Sequence, residues 1–371
     1  MSTSAPAGSA AGARWVLGLD VGGSGSRIAL AVAGDGAADA PKPPLRVLQG
    51  SRVGIAARGS SIPEVVDALL VRAETEWASE WGSVSAIAVG ATGAFTLVAD
   101  PDAVVRSIAA RRPGAIAALA TDAVTAHLGA LAGSAGAVVA VGTGSVALGT
   151  DLGSVWRRVD GWGHLLGDRG AGSWIGREGL EAAMRQFDGV TSAAGALLAA
   201  AIDAFGSPEG WPAQLYTRDD RAGVLGSFAG RVHTLAAAGD PAAVRIMTEA
   251  GREVARTLVA ALDPRLPRIA SAVGGVFAAP AASPLQFAPA TGAAAAAPRG
   301  TGATSPAAGA SHGATGAFTE AFTAAVREAH PPIELRPPAG TPLDGAIRLA
   351  RLLTSPTPPS GHPEHLWLTT P

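Results

Sequence analysis

Two short glycine-rich turns, each set between apolar runs, constrain this chain more than any other feature. Arg14 to Asp20 is an apolar run ending in a carboxylate, the turn Asp20-Val21-Gly22-Gly23-Ser24-Gly25-Ser26 follows, and Arg27 to Ala33 is apolar again. The same order recurs at Ala137 to Val141, Gly142-Thr143-Gly144-Ser145 and Val146 to Thr150. Short apolar runs bounded by Gly and Ser read as buried strands joined by hairpin turns. A dinucleotide-binding glycine loop must open a helix, so neither turn is of that kind. Around them, strands predicted at Leu45 to Gln49, Val84 to Val89 and Ala115 to Ala120 alternate with helices at Ile62 to Trp81, Pro101 to Arg112 and Asp122 to Leu131. In the first of these helices Val65, Val66, Leu69, Leu70 and Ala73 share one face. Such alternation predicts an α/β fold of mixed sheets covered by helices, and the repeated hairpin predicts two halves of similar topology.

A third glycine-rich segment, Gly161-Trp162-Gly163-His164-Leu165-Leu166-Gly167-Asp168-Arg169-Gly170, feeds a helix predicted from Ser173 to Phe187. Glycine lets other molecules approach the backbone, and Trp beside it suits a flat, partly apolar ligand such as a sugar ring. Together the three segments read as a nucleotide-plus-sugar site. Farther on, Thr191 to Asp263 is helical throughout, and Ile269 to Val273 is a strand ending at Gly274-Gly275-Val276. Residues 278–317 are Ala/Gly/Thr/Pro/Ser-rich and nearly uncharged, which predicts a flexible insertion. Helices resume at Phe318 to Ala329 and Leu343 to Leu353, and a Pro-rich tail follows Ser355.

Composition narrows the chemistry. The net charge of −2 over 371 residues offers no basic field for nucleic acid or an anionic membrane. The absence of cysteine removes disulfides, thiol catalysis and cysteine-held metal clusters. Lys42 is the only lysine, so there is no Walker-type Gly-Lys-Ser/Thr loop; any bound ATP must be held by main-chain N–H groups, hydroxyls and a metal ion. Met1 to Ala13 lacks the basic start and apolar stretch of a signal peptide, and no apolar run reaches the roughly 18–20 residues that span a bilayer. The expectation is a soluble, cytoplasmic protein without nucleic-acid or membrane partners.

Each motif has a plain alternative. The turns at Asp20 and Gly142 can cradle phosphates, with Asp20 holding a hydrated Mg²⁺, or can be ordinary hairpins. Asp122, after a strand and at the mouth of a helix, is a general base or an N-cap. Gly274-Gly275-Val276 packs adenine or simply turns the chain.

Taken together, Leu19-Asp20-Val21-Gly22-Gly23-Ser24, Thr121-Asp122-Ala123, Val141-Gly142-Thr143-Gly144-Ser145, Gly161-Trp162-Gly163-His164-Leu165-Leu166-Gly167-Asp168 and Gly274-Gly275-Val276 resemble the sugar kinase branch of the actin, hexokinase and heat-shock ATPase superfamily. More narrowly they resemble the N-acetylglucosamine kinases and activator-type BadF/BadG ATPases, over about Val16 to Phe277. The resemblance implies two actin-like, ribonuclease H-like lobes with an interdomain cleft: residues 1–122, and residues 123–342, with 343–371 packing back on the first lobe. It implies ATP and Mg²⁺ as cofactors. Gly22, Gly23, Ser24, Gly25, Ser26, Gly142, Thr143, Gly144 and Ser145 would hold the phosphates, and Gly274, Gly275 and Val276 the adenosine. Asp20 and Asp122 would face the metal. Asp122 would also be the base toward a sugar 6-hydroxyl, with Thr143, Gly144, Asp160, Trp162, Gly163, His164 and Asp168 around the sugar. The partners implied are a small sugar and ATP, bound by a monomer or a homodimer.

Three departures from the family pattern bear on the substrate. Arg169 stands where many relatives carry Glu, Asp160 precedes Gly161 where glycine is common, and no Asn follows Gly50. An extra carboxylate near the sugar favours an ammonium, which predicts D-glucosamine as acceptor, glucose as a weaker one, and Asp160 as the amine-recognising group. The alternatives are an N-acetylglucosamine or glucose kinase and a non-catalytic sugar-binding regulator. A partner-activating ATPase of the family would need the cysteines of its iron–sulfur cluster.

Overall fold

The computed structural model describes residues 14–23, 25–34, 46–56, 59–277 and 316–369. Ser24 and the segment 278–315, which holds nearly all of the expected insertion, lie outside the described residues. The chain forms two sheets of the same design. In the first, β1 (Trp15–Gly22), β2 (Gly25–Val32) and β3 (Arg46–Gly50) make an antiparallel meander. A two-stranded ribbon, β4 (Ile55–Ala56) and β5 (Gly59–Ser60), follows. Then β6 (Val84–Ala91) pairs parallel to β1, and β7 (Ile116–Thr121) parallel to β6. In the second sheet, β8 (Gly136–Val141), β9 (Ser145–Thr150) and β10 (Trp156–Asp160) repeat the meander. There β11 (Ile269–Val273) runs parallel to β8, and β12 (Glu334–Arg336) parallel to β11. A last strand, β13 (Leu366–Leu368), joins the first sheet beside β7. The strand orders β3-β2-β1-β6-β7 and β10-β9-β8-β11-β12 therefore coincide, as the duplicated hairpin predicted.

Burial explains the elements. All eight residues of β6 are buried, as expected of a parallel strand covered on both faces. Helix α1 (Ile62–Glu76) buries Ile62, Val65, Val66, Leu69, Leu70 and Ala73, begins with Pro in its first turn, and is followed by the short α2 (Ala78–Trp81). Helix α3 (Pro101–Arg111) starts at Asp100, whose carboxylate accepts the Ala103 N–H at 2.8 Å. Helix α4 (Asp122–Ala130) follows β7 directly and is buried along most of its length. Helix α5 (Gly172–Phe187) leaves the third glycine-rich segment. The long helical reading of residues 191–263 divides into α6 (Gly195–Phe205), α7 (Trp211–Tyr216), α8 (Arg221–Ala237) and α9 (Pro241–Ala261). Helix α10 (Gly316–Arg327) packs Phe318, Phe322 and Val326 into the core of the second half.

Helix α11 (Pro342–Leu353) opens with a reciprocal Thr341/Asp344 capping box and returns to the first sheet. A Cβ at Gly18 of β1 would lie 2.6 Å from the Ile347 amide nitrogen, and one at Gly345 would lie 1.8 Å from the Thr125 carbonyl oxygen. Glycine at both places is what lets α11 approach β1 and α4. The chain's end is more ordered than a Pro-rich tail suggests. β13 pairs with β7, and the Thr121 N–H donates to the His365 carbonyl at 3.0 Å. Among the described residues no helix is long and apolar enough to cross a membrane.

Candidate active site

The site forms where the loop ends of the two sheets meet. Asp122 is the first residue of α4, one step beyond β7, and the capping position itself belongs to Thr121. Its Oδ1 accepts its own neighbour's Ala123 N–H at 2.9 Å, and the Thr92 hydroxyl donates to the same carboxylate. Burial pushes the Asp122 carboxyl above the ordinary carboxylate range. The bonds from Thr92 and Ala123 act against that rise, nearby Asp20 adds to it, and Arg158 opposes it. Asp20 belongs to β1 of the first sheet and Arg158 to β10 of the second, so Asp122 stands between groups of both. Asp20 is also paired with Arg27 at 2.7 Å.

The first turn is open. A Cβ at Gly23 or Gly25 would meet nothing within 4 Å, and neither residue is in the left-handed region. The second turn is stitched to α5: the Gly172 N–H donates to the Gly142 carbonyl at 2.9 Å and the Ser173 N–H to the Thr143 carbonyl at 3.0 Å. Gly142 likewise has open space where a Cβ would stand. Neither packing nor backbone conformation explains glycine at Gly23, Gly25 or Gly142, whereas close approach of a ligand to the main chain does. The hydroxyls of Ser145 and Ser173 are buried without a hydrogen-bond partner, as is Thr121 Oγ1 beside Asp122. Unpaired buried hydroxyls beside an open glycine turn suit phosphate oxygens.

Other glycines here have a packing reason. A Cβ at Gly144 would lie 2.8 Å from Asp168 Oδ2. Gly274 adopts φ +114° and would place a Cβ 2.1 Å from the Val141 carbonyl oxygen. The Val276 N–H donates to that same carbonyl at 3.3 Å, which seats Gly274-Gly275-Val276 beside Gly142; Gly275 itself is open.

The Gly-Trp-Gly-His segment is clasped by Asp160. Asp160 is buried, with φ +64°. Its Oδ1 accepts the N–H groups of Gly161 and Asp168, both at 2.8 Å, and its Oδ2 accepts that of Arg169 at 3.0 Å. A carboxylate engaged by three main-chain donors holds the loop closed, and that occupation argues against direct recognition of a substrate amine. Arg169, at the position expected to carry Glu, contributes its N–H to this clasp. Asp168 is buried too, in a left-handed conformation at φ +54°. Its carboxylate accepts the Ser145 N–H at 3.3 Å and also the Gly163 N–H, tying the second turn to the loop, and burial raises it to about 6. Trp162 is 59% exposed on the rim. His164 Nε2 is buried and unpartnered, and burial lowers that ring below the ordinary histidine value. Gly163 has φ +82° and open space at its Cβ position.

The sequence reading passed over Arg158, Thr92 and Ser173. Only Arg158 left a usable sign: it lies two residues before Asp160, hence on the same face of its strand. Among the described residues, no group of three His, Asp or Glu side chains is arranged as a metal cage. Two carboxylates, Asp20 and Asp122, nevertheless fit Mg²⁺, which keeps water and substrate phosphates as its other ligands.

Against known proteins, a curated N-acetylmuramic acid/N-acetylglucosamine kinase from Clostridium acetobutylicum is 39% identical over 67 residues, 18% of this chain. That match spans 22% of the relative's length. A solved structure from Chromobacterium violaceum, described as an N-acetylglucosamine kinase, is similar with a TM-score of 0.59 at 22% identity, covering 90% of this chain and 98% of that one. One from Porphyromonas gingivalis with the same description has a TM-score of 0.58 at 16% identity, covering 90% and 97%. These likenesses establish the two-lobed, actin-like α/β fold. The sequence profile of the BadF/BadG/BcrA/BcrD ATPase family matches residues 17–297, more than half of the chain, and the protein belongs to that family.

Proposed function

We propose that this protein is an ATP-dependent sugar kinase that phosphorylates an amino sugar at its 6-hydroxyl. The observation that carries the reading is Asp122. It is a partly buried carboxylate at a strand end, facing groups of both sheets, with its basicity raised by burial. In the transfer, the bond from the γ-phosphorus to its bridging oxygen breaks and a bond to the sugar 6-oxygen forms. The hydroxyl proton goes to Asp122, leaving ADP and a sugar 6-phosphate. A base of raised pKa takes that proton more readily near neutrality. The main-chain N–H groups of the turns at Gly22 to Ser26 and Gly142 to Ser145 hold the phosphates, Gly274 to Val276 line the adenosine, and Asp168 with the Gly161–Gly167 loop faces the sugar. Asp20 and Asp122 would hold hydrated Mg²⁺, which shields phosphate charge when bound. Residues 1–122 with the returning C-terminal segment, and residues 123–342, are the natural division into lobes.

The acceptor is the finer question. D-glucosamine, with glucose weaker, follows from counting carboxylates near the sugar, but Asp160 spends its oxygens on the main chain. That observation favours a second reading, N-acetylglucosamine, and the described activity of the C. acetobutylicum relative supports it. ADP release measured across N-acetylglucosamine, glucosamine, mannosamine and glucose decides between them. Sugar-independent ATP consumption, or none with any of the four, would overturn the kinase reading. Asp122→Asn is expected to lower turnover by about 10²–10⁴-fold with ATP affinity retained; near-normal turnover would remove Asp122 as the base.

A further inference from the structure

Arg158 touches aromatic rings from both halves of the molecule. Its guanidinium carbon stands 4.5 Å from the ring centroid of Trp162, in the loop after β10, and 5.7 Å from that of Phe95, in the turn after β6 of the first sheet. Both distances lie within cation–π range. Its Nη2 also donates to the Gly161 carbonyl, so the charge is anchored to the loop it covers. Burial works against its cationic form, and the nearby carboxylates of Asp122, Asp160, Glu364 and Asp168 act in favour of it; His365 is close enough to feel its charge.

Trp162 needs such an anchor. It is flanked by Gly161 and Gly163, both at positive φ (76° and 82°), and is largely exposed. Nothing in those flanking residues fixes the indole plane. A planar guanidinium stacked on it does, and reaching Phe95 it ties that plane to the opposite sheet.

Building on the sugar-kinase reading, we propose that Arg158 is a positioning residue. It clamps Trp162 between the two halves, so that the exposed indole face is presented as a platform for the sugar ring. The clamp acts on acceptor binding rather than on phosphoryl transfer.

The test compares Arg158→Met, Arg158→Lys and Phe95→Ala with the full-length wild type. Arg158→Met is expected to raise the KM for the sugar about fivefold, the scale of a lost, partly exposed cation–π contact, with a larger change in the sugar KM than in kcat and the KM for ATP unaffected. Arg158→Lys keeps the charge but not the planar stack and is expected to recover only part of that loss. Phe95→Ala should raise the sugar KM in the same direction, and adding it to Arg158→Met should do no further harm. A readout independent of turnover is acrylamide quenching of tryptophan fluorescence: Trp162, already exposed, should be quenched more efficiently in Arg158→Met, where the guanidinium no longer covers one ring face, and Trp162→Phe should remove that increase. Unchanged quenching and an unchanged sugar KM would overturn the proposal, as would a loss confined to kcat. If Arg158→Met fails to fold, the same comparisons with Arg158→Lys decide. If the wild type shows no sugar-dependent ADP release, the kinase reading fails, and the quenching arm still stands or falls by itself.

Discussion

Removing the Asp160 carboxylate should unfasten the Gly161–Asp168 loop, and the size of the effect can be worked from its three bonds. Hydrogen bonds to a charged group contribute about 1.5–3 kcal/mol each, but three bonds on one carboxylate are not independent. Asp160→Ala loses all three acceptors, leaves the buried Asp168 N–H without a partner, and places alanine at φ +64°. The left-handed conformation alone costs about 1–2 kcal/mol in a residue with a plain Cβ. A total of about 4–6 kcal/mol follows. Asp160→Asn tolerates the backbone conformation and keeps one oxygen for Gly161 and Asp168, but turns an amide nitrogen toward the Arg169 N–H. A cost of about 2 kcal/mol follows for that variant. Urea unfolding of the two variants beside wild type measures the difference. The acceptor screen on Asp160→Asn should show the sugar KM rising for all acceptors alike, with the glucosamine-to-glucose ratio preserved. An Asp160→Ala protein within 1 kcal/mol of wild type would refute the clasp. A selective loss of glucosamine in Asp160→Asn would return the carboxylate to amine recognition.

Three further outcomes are expected. His127 is fully buried, with Nε2 at 3.2 Å from the Gly136 carbonyl, and burial lowers its pKa to about 4. Its folded pKa lies below the unfolded value near 6.5, so stability falls as pH drops from about 6.5 to 4. The loss is about 3 kcal/mol, and His127→Gln should remove that share from the pH dependence of urea unfolding; an unchanged acid limb would refute it. Gly142→Ala meets no atom within 4 Å, so its unfolding midpoint should stay within about 0.5 kcal/mol of wild type while the KM for ATP rises; unchanged ATP affinity would make the turn an ordinary hairpin. Gly345→Ala drives a Cβ to 1.8 Å from the Thr125 carbonyl oxygen, and should cost about 3 kcal/mol by prying α11 from α4; calorimetry showing an unshifted transition would mean that the contact yields freely.

The fold was legible because its signals are local and repeated. Apolar runs interrupted by Gly and Ser mark both hairpins, and the periodic face of α1 is buried as read. Elements whose reason lies elsewhere in the chain were not legible. β10 begins Trp156-Arg157-Arg158, a polar edge-strand pattern that becomes a strand only because β9 offers it an edge. β13 lies in a Pro-rich tail and exists because β7 has a free side. Asp122 could be picked out from its place after a strand, whereas Arg158 acts through Phe95, far away in the sequence.

Asp160 shows where counting residue types in a motif stops being informative. Two buried carboxylates, Asp160 and Asp168, lie eight residues apart in one loop, and both take left-handed backbone conformations. As charges in a sequence they look like a matched pair awaiting a cation. In the fold their oxygens are already accepting main-chain N–H groups: those of the loop itself in one case, and those of the second turn and Gly163 in the other. Such donors compensate a buried carboxylate without a cation, so the number of aspartates near a sugar says little about the sugar's charge. What distinguishes acceptors in this architecture is then the shape and firmness of the loop, which Asp160 closes from within and Arg158 braces against Phe95 of the facing sheet. By that argument a single substitution at either residue should alter the affinity for every hexosamine before it alters the choice among them.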